Sequence, residues 1–123
     1  MAPPRMLVIL ADDTVPDAVR QLVQRSHGTA QFWPAAGVHR RPLPTTTDLI
    51  LVVAPTDATR TVAFLNRLLT HLAEHPRPTL VLTTGEAVAD RVDYPASLPV
   101  AFADADRPRD LAVQFDTLLA LRR

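Results

Sequence analysis

Asp48-Leu49-Ile50-Leu51-Val52-Val53-Ala54-Pro55-Thr56 is the stretch that decides how this chain is read. From Leu49 to Val53 every side chain is large and apolar, with no polar residue alternating. A strand with one wet face would alternate; a continuous run fits a strand covered on both faces, as in a parallel sheet. Pro55 has no amide hydrogen with which to continue a ladder, so the strand ends there. Thr56 is a good helix N-cap, and Val62, Leu65, Leu68, Leu69 and Leu72 follow at helical spacing, predicting a helix to about His75. Pro76 and Pro78 then stop it. A doubly buried strand leading straight into an amphipathic helix is half of a parallel crossover unit.

The same alternation extends outward. Upstream, Leu7-Val8-Ile9-Leu10 reads as another buried strand. Thr14 is the expected N-cap of a helix whose apolar face is Val15, Ala18, Val19, Leu22 and Val23, with Gly28 expected as its left-handed C-cap. Residues 29–33 predict an edge strand. The three prolines and few helix formers of residues 34–47 predict mostly loop, with room for one helical turn. Downstream, 79–83 and 100–103 predict two more strands, and 86–93 a short helix. A last helix opens at Asp106 or Arg107, with Leu111, Ala112, Phe115, Leu118 and Leu119 as its stripe. Right-handed crossovers favour strand order 2-1-3-4-5. The expected fold is therefore α/β, a flavodoxin-like three-layer sandwich with a five-stranded parallel sheet. A chain of 123 residues has room for one such core, so 1–123 is read as a single domain.

Composition excludes much chemistry. The 13 basic residues are all arginine, so neither a Schiff-base lysine nor a phosphate loop of the Walker type is available. With no cysteine, thiolate nucleophiles and thiolate metal sites are excluded too. A formal net charge of zero lacks the basic excess that supplies nucleic-acid affinity, so no nucleic-acid partner is expected. The run from Met6 to Ala11 is too short for a signal segment or a membrane span, which predicts a cytoplasmic protein with no membrane partner. The arginine, alanine and proline bias fits a GC-rich actinobacterial coding sequence.

In such sheets, ligands bind beyond the carboxyl ends of the strands. The residues expected there are Asp12, Asp13 and Thr14, Thr56 and Asp57, Thr83 and Thr84, and Asp104. Their oxygens could hold a small ligand or a nucleotide, although the same residue types are what helix caps and turns require. Ala11-Asp12-Asp13 replaces the glycine-rich turn of a dinucleotide site and would repel a pyrophosphate. No cofactor is expected. His71-Leu72-Ala73-Glu74-His75 matches the H-x-x-E-H metalloprotease pattern, which would put His71, Glu74 and His75 on zinc. It falls in the last turn of its helix, where histidines also complement the dipole. Phe32 and Trp33 on the edge strand, with Arg40 and Arg41 in the loop after it, are candidate interface residues.

Leu7 to Asp13, the spacing of Gly28 and Gly37, Asp48 to Val53, Val81-Leu82-Thr83-Thr84 and Arg109 to Leu121 together resemble the response-regulator receiver domain. The resemblance puts the phosphoacceptor position at Val53 and the switch hydroxyl at Thr83, and the family's lysine has no counterpart. Residues 47–69 and 98–121 also resemble the TIR-like fold, whose NAD-cleaving members need a glutamate where this chain has Phe64. Both resemblances imply a retained scaffold without its chemistry. The expectation is a non-catalytic protein-interaction module in bacterial signalling or defence, with a protein partner that includes a second copy of itself.

Overall fold

The computed structural model describes residues 3–12, 14–40, 42–44, 46–55, 58–83, 92, 94, 96–104 and 106–121. Strand β1 (Arg5–Leu10) leads to helix α1 (Asp17–Ser26), strand β2 (Thr29–Pro34) and a 3₁₀ helix (Ala35–Arg40). Then come β3 (Leu49–Val53), α2 (Ala58–Leu72), β4 (Thr79–Thr83), β5 (Val100–Asp104) and α3 (Pro108–Leu119). The strands form one all-parallel sheet in the order β2-β1-β3-β4-β5. This is the expected flavodoxin-like order.

The sheet's two faces divide the core. Side chains alternate across a strand, so Leu7, Ile9, Ile50, Val52 and Val81 point one way. They meet Leu65, Leu68, Leu69 and Leu72 of α2, with Trp33 and Val38 closing the β2 end. Met6, Val8, Leu10, Leu49, Leu51, Leu80 and Leu82 point the other way, against Val19 and Leu22 of α1 and Leu111, Phe115 and Leu118 of α3. Between β2 and β3 the described chain makes only the 3₁₀ helix. Pro34, Pro42 and Pro44 leave that crossover no uninterrupted stretch long enough for a packed α-helix.

Three local expectations need correction. Thr14 does not cap α1; the helix starts at Asp17 behind Pro16, with no side-chain cap. The left-handed residue after α1 is His27 (φ 57°), not Gly28. Its amide donates to Gln24 O at 3.2 Å. Gly28 is required for space: a Cβ there would lie inside contact distance of Pro4 O and 2.8 Å from Pro4 Cγ. Helix α2 ends at Leu72, and Glu74 and His75 donate to His71 O and Leu72 O in a tightened turn beyond it. The cap expected at Thr56 and most of the helix expected over 86–93 lie outside the described residues.

Candidate functional site

The carboxyl ends of the strands come together at one edge of the sheet. There Leu10 is in register with Pro34 on one side and Val53 on the other. Val53 is in register with Leu82, and Thr83 with Asp104. The ladder continues one step past the strands, with Ala11 N donating to Val53 O at 3.1 Å and Ala54 N to Leu82 O at 3.0 Å. Chain leaving β1 therefore passes over the end of β3 before turning toward α1.

Asp12, directly after Ala11 at this edge, is exposed, and so is Thr14 further along toward α1. Thr83 is buried, and its hydroxyl donates to Ala103 O at the long distance of 3.5 Å. Asp104 is half-buried; its Oδ1 accepts the Asp106 amide at 2.9 Å, and its carbonyl accepts the Arg107 amide at 3.0 Å. That carboxylate makes the turn into α3, a structural duty common for aspartate. Asp13, Thr56, Asp57 and Thr84 lie outside the described residues. Of the expected edge set, Asp12, Thr83 and Asp104 thus share one end of the sheet, with Thr83 and Asp104 as direct neighbours.

The other candidates lie elsewhere. His71 is on the last turn of α2, with Nδ1 4.0 Å from Glu74 Oε2; Glu74 and His75 are exposed beyond the helix end. Among the described residues no three histidine, aspartate or glutamate side chains converge as a metal site. On β2, Phe32 is 44% exposed whereas Trp33 is buried against the α2 face. Arg40 ends the 3₁₀ helix, and Arg41 lies outside the described residues. No described helix is long and apolar enough to cross a membrane.

Sequence reasoning missed two surfaces. A shallow open groove of about 140 Å³ runs between α1 and α3, floored by Ala18, Leu22, Leu111 and Ala112 and flanked by Arg25 and Pro108. Paired alanines on facing stripes were its only signal. At the β5 edge, the rings of Tyr94 and Phe102 meet at 6.2 Å with a 44° tilt. Tyr94 comes from the β4–β5 connection, which no periodicity marks.

The fold is receiver-like. A response regulator receiver protein from Pseudoalteromonas atlantica superposes with a TM-score of 0.65 at 15% identity, over 95% of this chain and 98% of that one. A response regulator receiver domain protein (CheY-like) from Methanospirillum hungatei JF-1 gives 0.59 at 14% identity, over 97% and 95%. At such identities the likeness is one of fold. No protein-family model matches the chain, and no curated protein matches it in sequence.

Proposed function

We propose that the chain is a non-catalytic protein-interaction module of bacterial signalling or defence, built on a receiver-like scaffold. The observation that carries this reading is Val53. It sits half-buried at the carboxyl end of β3, between Leu10 and Leu82, and packs into the core under α1 and α3. This is where the receiver resemblance calls for a phosphoacceptor aspartate, and an isopropyl group offers no oxygen to a phosphoryl donor. The chain has no lysine to balance an acyl phosphate. Thr83 and Asp104 are bonded to backbone within the sheet edge.

The test is direct. Incubated with acetyl phosphate and magnesium, the protein should show no phosphoryl adduct by intact mass, and incubated with NAD it should release no nicotinamide. Either product would overturn the reading.

A second reading, a small-molecule or nucleotide site, is favoured by Asp12, Thr83 and Asp104 sharing one end of the sheet. A ligand at a hundred times its dissociation constant should add about 2.7 kcal/mol of stability. Thermal shift with nucleotides and magnesium reads this, and Asp12→Ala should abolish any shift that arises there. An unchanged shift in the variant removes the reading.

A further inference from the structure

We propose that the outer edge of β2 pairs antiparallel with β2 of a second copy, across a two-fold axis at Gln31. The inference rests on the interaction-module reading and names its partner. In a parallel ladder the N–H and C=O of one residue point to the same side, and those of the next residue to the other. Thr29 N donates to Pro4 O at 3.0 Å, so Thr29, Gln31 and Trp33 are bonded toward β1. Ala30, Phe32 and Pro34 therefore turn their backbone groups outward, where β2 ends the sheet. Among the described residues none accepts from the outward amides.

Only one two-fold register uses these groups fully. Pro34 has no amide hydrogen, and just before the strand the Gly28 amide donates to Ser26 Oγ at 3.2 Å. The outward donors within β2 are thus Ala30 and Phe32. A two-fold axis through Gln31 sets Ala30 opposite Phe32 of the other copy, and the reverse, so that each pair exchanges both backbone hydrogen bonds. An axis through Ala30 would call on the committed Gly28 amide. An axis through Phe32 would set Ala30 against donorless Pro34.

Side chains suit the same register. It lays the exposed Phe32 ring beside small Ala30 on the α1 face. On the other face it sets Gln31 against Gln31 and Trp33 against Thr29. No residue from Thr29 to Pro34 is charged, so like-charge repulsion does not oppose self-pairing. Natural sheets usually guard an open edge with charges, a bulge or an interior proline, and β2 has only its terminal Pro34. The opposite edge, β5, ends in Asp104 and holds Tyr94 against Phe102.

Sedimentation velocity on the whole chain tests this. Dimer should grow with concentration between about 10 μM and 1 mM, since one strand pair is smaller than a standard interface. Gln31→Lys sets like charges face to face on the axis and should weaken the dimer several-fold; Gln31→Glu should do the same. Mixing the two should restore dimer as a heterodimer. Ala30→Pro removes an outward donor without touching the bonds to β1 and should weaken it as well, circular dichroism confirming the fold. A monomer throughout the range, or a dimer indifferent to these substitutions, overturns the proposal. A protein that dimerises this way yet takes a phosphoryl group would overturn only the non-catalytic reading.

Discussion

The Arg5 amide donates to Asp48 Oδ2 at 2.9 Å, and the Asp48 amide donates to Arg5 O at 2.8 Å. This reciprocal pair clasps the amino ends of β1 and β3 at the residues just before their apolar runs pair. It sits at the end of the sheet opposite the candidate site. Asp48 therefore satisfies a strand-end amide that the ladder does not reach.

Asp48→Ala should remove the carboxylate acceptor and keep the backbone half of the clasp. The loss should be about 1 kcal/mol, because the bond is charge-assisted but exposed. A urea titration should show a lower midpoint with an unchanged slope.

At the junction of α1 and β2, the two neighbours His27 and Gly28 should respond in opposite ways. His27 is left-handed without being glycine, and His27→Gly should stabilise by about 0.5–1 kcal/mol. Gly28→Ala should destabilise by about 1–3 kcal/mol, because the new methyl meets the Pro4 backbone, which is held by the Thr29 amide. Thermal melts of the two variants, compared with the parent, check both signs.

Two threonine hydroxyls should differ in worth. Thr61 is buried in α2 and donates to Pro55 O at 3.0 Å, which ties the helix to the end of β3. Thr61→Val should cost about 1 kcal/mol, since it leaves a carbonyl short of a partner. Thr83→Val should change stability by less than about 0.5 kcal/mol, its bond to Ala103 O being 3.5 Å long. Equal losses in chemical denaturation would contradict the geometry.

Phe115 is 1% exposed and fills the space between α3 and the sheet. Phe115→Ala should cost about 3–5 kcal/mol through lost burial and a residual cavity. In contrast, the exposed Arg25–Asp116 pair, 3.5 Å apart, joins α1 to α3 at the surface. A double-mutant cycle should give it under about 0.5 kcal/mol, and less in high salt.

The strands and the faces of the helices were legible because burial imposes a period. Leu49–Val53 is apolar throughout since both its faces are covered, and Leu111, Phe115 and Leu118 recur because only one face of α3 is. The helix starts were less legible. Thr14 and Pro16 are both compatible with a start, and the helix takes Pro16, whose carbonyl accepts the Val19 and Arg20 amides. The candidate site was partly legible. Asp12, Thr83 and Asp104 lie at the expected edge, but the partner of the Thr83 hydroxyl, Ala103 O, is a neighbour that strand register selects, whereas Asp104 is held by its local turn to Asp106 and Arg107. The H-x-x-E-H pattern counts residues along a helix that stops at Leu72, and among the described residues no three such side chains converge.

By itself the sequence determined the alternation of doubly buried strands and one-sided helices, and with it the parallel sheet. It also excluded the chemistry of lysine and cysteine side chains, since neither residue is present. Those are local facts of composition and period. Only the tertiary structure decided that Gly28 must lack a side chain, that Asp48 would clasp Arg5, and that Ala30 and Phe32 would present their amides at an open edge. Each depends on which backbone lies alongside, and that is a matter of strand register between segments distant in the chain.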